Sequence, residues 1–250
     1  ASAGFVPTVA LMTVLGTEYG MRVHYLQHVP FEPPAAIADW AADRGHDLDG
    51  THLWKRELLP AVETFDMLVV LGGPMGVGES DGYPWLPDER ALISDSLDAE
   101  TPVLGVCLGA QQLAAALGGA VAPHHTREVG WFPVETTGAA VHSPLAPLGE
   151  EFPAFHWHGD AFEVPPGGTL LASTPACRTQ AFLAADGLAL GLQFHLEATE
   201  ESVRRLIEAT DDLGDGAYVQ DTDDLLADDA QFDALRAALD AVLDAFTAGV

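Results

Sequence analysis

Residues 101–119 read TPVLGVCLGAQQLAAALGG. The first part, TPVLGVC, is a short apolar run of strand length; the second, LGAQQLAAALGG, is built from good helix formers and closes on Gly-Gly, a helix-stop signal. Cys107 sits at the junction, bracketed by Gly105 and Gly109. A strand that turns directly into a helix is the unit of an open parallel sheet, and such a turn lifts the residue at its corner above the carboxyl end of the strand.

Working outward, short apolar runs alternate with helical patterns on both sides. VALMTVL (Val9 to Leu15) is expected as the first strand, and PPAAIADWAADRGHDLDG as a helical stretch with Ile37, Trp40 and Ala41 on one stripe, ending near Gly45. DMLVVLGG (Asp66 to Gly73) reads as a second strand, and Asp88 to Leu97 as a helix. After Gly119 the periods shorten: WFPVETT, TLLAST and LALGLQFH (Leu188 to His195) are candidate strands between Pro- and Gly-bearing turns. A helix around Glu201 to Ala209, an acidic loop and an amphipathic helix from Gln231 to Phe246 complete the chain. The expected fold is α/β: an open, mainly parallel, doubly wound sheet flanked by helices, flavodoxin-like, with a mixed or antiparallel edge. One domain is expected over residues 1–250, its core spanning about 9–210 and a helical tail following from about 211 to 250.

Asp and Glu total 38 against 10 Lys and Arg, a formal charge of −28, and Lys55 is the single lysine. That balance excludes a polyanion such as nucleic acid as a partner. It resembles the composition of halophilic archaeal proteins, whose self-repulsion is screened over roughly 3 Å in molar salt. The two cysteines, Cys107 and Cys177, make no disulfide framework. No apolar run reaches the ~18 residues of a membrane span and the first residues carry no basic segment, so a soluble, cytoplasmic protein with no membrane partner is expected.

An isolated cysteine is more often a buried apolar residue than a nucleophile. Here the glycine bracket and the following helix, whose N-terminal partial charge favours a thiolate, point to a nucleophile. QFHLE (Gln193 to Glu197) supplies partners: on an extended segment residues i and i+2 share a face, so Glu197 can orient His195 while His195 takes the thiol proton. LGGPMG (Leu71 to Gly76) is a strand end whose Gly73 N–H, with that of Leu108, could hold an oxyanion.

Together LGGPM, GVCLGAQ, FHWHGDAFEVPPG and GLQFHLEAT resemble the class I glutamine amidotransferases, over about Phe65 to Thr199. The resemblance is strongest to stand-alone proteins similar to the amidotransferase domain of GMP synthase, including γ-glutamyl peptidases, and YLQHVPFEPPAAIADWA extends it toward the N-terminus. It implies Cys107, His195 and Glu197 as a catalytic triad, Gly73 and Leu108 as oxyanion donors, and Gln111 with the backbone around Gly159 and Asp160 as holders of the glutamine moiety. Leu196 stands where many members have Pro, and the helix after Gln111 offers no recognisable synthetase contact.

His156, His158 and Asp160 have an alternating spacing that could suit a metal, but a further ligand is missing, so no metal and no cofactor are expected. FHWHGD is read instead as a loop lining the site, supported by His158; His124 and His125 as loop residues; Cys177 as structural. No G-x-x-x-x-G-K-[ST] phosphate loop occurs. The implied function is cleavage of a γ-glutamyl amide through a cysteine thioester, with glutamine or a γ-glutamyl compound as substrate and ammonia passed to a separate synthetase subunit. A free-standing γ-glutamyl peptidase and a non-catalytic binding or regulatory protein of the same fold are the alternatives.

Overall fold

The computed structural model describes residues 20–226 and 228–248. In chain order the elements are β1 (Arg22–Gln27), α1 (Ala36–Asp43), β2 (Asp47–His52), β3 (Met67–Val70), α2 (Leu86–Asp98), β4 (Val103–Val106), α3 (Leu108–Ala116), β5 (Val121–Thr136), β6 (Glu151–Phe162), β7 (Thr169–Ser173), β8 (Ala181–Ala184), β9 (Ala189–Leu192), α4 (Glu200–Ala209), α5 (Thr222–Leu225) and α6 (Asp229–Thr247). The strand expected at Val9 to Leu15 lies outside the described residues.

The strands form one nine-stranded sheet in the order β2-β1-β3-β4-β9-β8-β7-β5-β6. The pairs from β2 through β9 are parallel, and those from β9 through β6 antiparallel. This is the parallel sheet with an antiparallel edge that the sequence pattern implies. The central strands MLVV, VLGV and ALGL are buried on both faces, which is why they read as unbroken apolar runs. Successive residues feed opposite layers: Met67 and Val69 pack with Ile37 and Trp40 of α1 and Leu239 and Leu243 of α6, whereas Leu68 and Val70 pack with Ile93 of α2 and Leu113 of α3. The C-terminal helix α6 thus shares a core with α1, and Trp40 Nε1 donates to Asp244 Oδ1 at 2.9 Å.

The helical stretch ends near Gly45 as expected, but the sequence pattern missed β2 (Asp47–His52), a polar strand at the edge of the described sheet. Three expectations need correction. FHWHGD is not a loop but part of β6, paired in register with β5 from Glu128↔His158 to Glu135↔Glu151. The strand expected to run to His195 stops at Leu192, and beyond it His195 is held by an isolated bridge to Phe155. His124 and His125 fall within β5, at the register shift between Pro123 and Glu128.

Candidate active site

Cys107 turns the corner between β4 and α3 at φ 52° and ψ −110°, a conformation costing a non-glycine residue on the order of 1–3 kcal/mol. The corner is this tight because its neighbours have no Cβ: one on Gly109 would collide with the Val70 carbonyl of β3, and one on Gly105 would lie 2.5 Å from the Gly109 carbonyl oxygen. The Cys107 N–H donates to Leu192 O at 2.8 Å, tying the elbow to the end of β9.

His195 and Glu197 arrive on the chain leaving β9. Their backbone is pinned by neighbours: His195 N donates to Phe155 O at 2.8 Å, and Glu197 O accepts from Ala36 N at 3.0 Å. Nδ1 of His195 lies 2.6 Å from Glu197 Oε1. Burial pulls the imidazole's proton affinity down, but the charge and hydrogen bond of Glu197, with the nearby Cys107, outweigh it, leaving the ring well above the ordinary histidine range. His195 Nε2 forms no closed hydrogen bond. The contact with the Cys107 sulfur is therefore loose, the usual state of a nucleophile and base before substrate tightens them.

Gly73 lines the cleft with Cys107, and Leu108 follows Cys107 in the chain. Leu108 is the first residue of α3, so its N–H has no intrahelical acceptor. Gly73 follows β3, and the carbonyl of the same peptide unit, Gly72 O, is engaged by His28 Nδ1 at 3.0 Å. In a trans peptide the N–H points opposite the carbonyl, so this bond turns the Gly73 N–H away from His28. His28 is in turn paired through Nε2 with Glu89 Oε1 at 2.8 Å, both side chains fully enclosed.

These groups open on a cleft of about 550 Å³ lined by Glu32, Gly73, Cys107, Gln111, Arg127 and Asp160, among others. Gln111 projects from α3 into its floor, where Nε2 approaches Asp160 O and Gln193 Oε1, each at 3.3 Å. Gly159 and Asp160 form the β6 wall. All eight residues singled out in the sequence therefore surround one cleft, save that Leu108 and the His195–Glu197 pair sit just beneath its surface.

The glutamine amidotransferase class-I family matches residues 44–208. The chain belongs to this family. Among its relatives is the glutamine amidotransferase-like protein YfeJ of Salmonella typhimurium, 35% identical over 193 residues, covering 75% of this chain and 80% of YfeJ. GMP synthase of Mycobacterium bovis is 41% identical over 131 residues, 52% of this chain but only 23% of the synthase. The crystal structure of a glutamine amidotransferase from Thermotoga maritima superposes with a TM-score of 0.83 at 31% identity, covering 91% of this chain and 98% of the other.

Within this family member's site, the His158 wall is more elaborate than its sequence indicates. His158 Nδ1 faces Asp160 O at 3.1 Å, and Nε2 faces Glu128 Oε2 at 3.1 Å. Glu128 also accepts from Thr174 Oγ1 and Gln180 Nε2, both at 2.7 Å. Burial works against its charge, but His158, His156 and Thr174 hold its carboxyl below the ordinary range. Glu128, His156 and His158 bring ligand-type atoms within 4.8 Å of one another, so the potential metal cluster includes Glu128 where the sequence pattern suggested Asp160. Glu128 is already engaged as an acceptor on both oxygens, and its pairing with His158 ties β5 to β6. Cys177 is buried, its sulfur 3.6 Å from Thr179 O, away from the cleft.

Glu32, Arg127 and the His28–Glu89 pair escaped the sequence reading. Arg127 lies 3.9 Å from where a Gly159 Cβ would be and is, among the described residues, the only Lys or Arg lining the cleft. Its signal was scarcity, since an unspent cation in so acidic a chain stands out. Glu32 had no such signal among 38 acidic residues.

Proposed function

We propose that this chain hydrolyses the side-chain amide of glutamine through a Cys107 thioester and passes the ammonia to a separate acceptor-activating protein. The observation that carries this reading is the strained elbow of Cys107 beside the 2.6 Å His195–Glu197 pair. Sγ attacks the amide carbon while the Gly73 and Leu108 N–H groups take the developing oxyanion; each such donor is worth on the order of 3 kcal/mol of barrier. His195 then gives its Nε2 proton to the departing nitrogen, Glu197 stabilising the imidazolium throughout. Water attacks the thioester with His195 as base, releasing glutamate. Arg127 suits the substrate's α-carboxylate, and Gln111 with the backbone of Gly159 and Asp160 suits its ammonium group.

The similarity extends over 80% of the glutamine amidotransferase-like protein YfeJ but over only 23% of GMP synthase, which supports a partner in trans. The cleft's 550 Å³ exceeds what glutamine fills and supports a second reading, hydrolysis of γ-glutamyl conjugates without a partner. The test is ammonia and glutamate release from glutamine, alone and with candidate synthetases, together with an acid-quenched mass measurement of the glutamyl adduct on Cys107. Absence of both adduct and ammonia under every condition would overturn the proposal.

A further inference from the structure

The cleft has a second end. Beside the catalytic pair lies a recess of about 20 Å³ lined by Glu32, Gly72, His195 and Glu197, room for one molecule the size of water or ammonia. Glu32 also lines the main cleft, so its carboxyl stands where recess and cleft meet. A side chain on Gly72 would collide with Glu32 Oε2 and touch His195 Cε1 at 3.3 Å, so the carboxylate and the imidazole approach the same point beside Gly72. The Glu32 carboxyl is charge-coupled to His195, His28 and Glu197, without a hydrogen bond to any described residue.

Chemistry assigns this end of the site. The leaving nitrogen must lie within reach of His195 Nε2 to receive its proton, whereas the glutamyl portion extends toward Gln111, Gly159 and Arg127. We infer that Glu32 reads the leaving group, admitting ammonia and neutral or cationic amines and rejecting those that carry a carboxylate next to the scissile nitrogen. The inference rests on the thioester chemistry proposed above. In that step the S–C bond forms, the C–N bond breaks, and the nitrogen departs as a neutral amine after taking the proton from His195; Glu32 accepts one of its N–H groups. An amino-acid leaving group would bring its own carboxylate against Glu32. Desolvation raises the Glu32 carboxyl to about 7, with His195 and His28 opposing and Glu197 adding to the rise, so a further anion beside it is poorly tolerated. Asp211 and Asp212 also line the cleft, whereas Arg127, its cation, lies beside the Gly159 wall.

The experiment compares γ-glutamyl methylamide, a γ-glutamyl diamine and γ-glutamylglycine, assayed on the full chain at about pH 8.5, where the carboxyl is ionised. The wild type is expected to favour the methylamide and diamine over the glycine conjugate in kcat/KM by roughly 10–100-fold, and Glu32→Gln to shrink that ratio by about tenfold or more, mainly through gain on the glycine conjugate. A ratio unmoved by Glu32→Gln, or an equal loss on all three, would overturn the inference. Binding of the same compounds to Cys107→Ala, with and without Glu32→Gln, is read by calorimetry and needs no turnover. If the wild type hydrolyses none of them, the catalytic reading fails while a binding preference abolished by Glu32→Gln still supports the role of Glu32. No preference, or no binding at all, sinks it.

Discussion

His28 Nδ1 holds the Gly72 carbonyl at 3.0 Å, and through that trans peptide it turns the Gly73 N–H away from its own ring. Glu89 fixes the opposite side of the same ring at 2.8 Å, and burial, although it pulls the His28 proton affinity down, is outweighed by Glu89 and Glu32, so the ring is held above the ordinary range. His28→Gln is expected to lower kcat on glutamine by roughly 10²-fold with little change in KM, since a misaimed donor is felt in the transition state. His28→Ala is expected to cost in addition about 3–5 kcal/mol of stability, because it leaves the Glu89 carboxylate buried without its partner. Wild-type kcat in a folded His28→Gln protein would show that the peptide is aimed by something else.

The strain at Cys107 gives the nucleophile a stability signature. Cys107→Ala and Cys107→Ser are expected to abolish amide hydrolysis with the fold intact, His195→Ala to be nearly as severe, and Glu197→Gln milder, because the acid only orients and stabilises the imidazolium. At φ 52° a glycine is relaxed where alanine is not. Cys107→Gly should therefore melt higher than Cys107→Ala, by the equivalent of about 1 kcal/mol in a denaturant titration. The reverse order would mean that the elbow is not strained.

Buried His156 should make the protein acid-sensitive. Its ring lies near Phe132 and Phe194, and both nitrogens lack partners. Burial lowers its affinity for a proton to about 3; Glu128 opposes that shift, and the facing His158 and His195 add to it. Because the folded value lies below the unfolded one of about 6.5, only the unfolded chain takes a proton between them. Stability is thus lost as pH falls from about 6.5 toward 3, at up to ~1.4 kcal/mol per pH unit. Glu32, shifted upward, contributes the opposite sign below about 7, so the comparison must be between curves. His156→Phe is expected to flatten the acid limb relative to wild type; parallel melting curves across that window would refute the assignment.

The elbow was legible because one short segment contains its own geometry: apolar strand, corner residue, glycines on either side, helix. β3, β4 and β9 were legible for the same local reason, being buried on both faces. β2 and β6 were not. Asp47–His52 is polar because it lies at the sheet edge, and FHWHGD resembles a loop because the partner of His158, Glu128, arrives from a strand thirty residues earlier in sequence. His195 and Glu197 were identified correctly as neighbours, but by a strand geometry that ends three residues too soon; a bridge to Phe155 and a hydrogen bond from Ala36 do the positioning instead. Glu32 and His28 acquire meaning only when β1 is set beside β3, a pairing no local pattern encodes.

The charge balance leads to a test in which two salt effects oppose each other. α6 is fastened to α1 by Arg44, 2.7 Å from Asp244, and by Arg236, which reaches Asp43 at 2.7 Å, Asp240 at 2.8 Å and Asp39 at 3.3 Å. Salt weakens such partly exposed pairs, each worth no more than about 1 kcal/mol. It also screens the self-repulsion of a chain carrying −28, whose Debye length shrinks from about 10 Å at 0.1 M to about 3 Å at 1 M. The repulsion is summed over the whole surface and the pairs are few, so screening should win. Since 1 kcal/mol moves the midpoint of a chain this size by about 2–4 °C, several kcal/mol of relief should raise Tm by roughly 10 °C between low and molar salt. Arg236→Ala removes the one cation that faces Asp39, Asp43 and Asp240 together, so its cost should be about 1–2 kcal/mol at low salt and clearly smaller at 2 M. Thermal melts of both proteins across a salt series decide the matter. A wild-type Tm indifferent to salt would remove the role assigned to the net charge, and an Arg236→Ala deficit that stayed constant would show that the arginine acts by packing its stem and not by its charge.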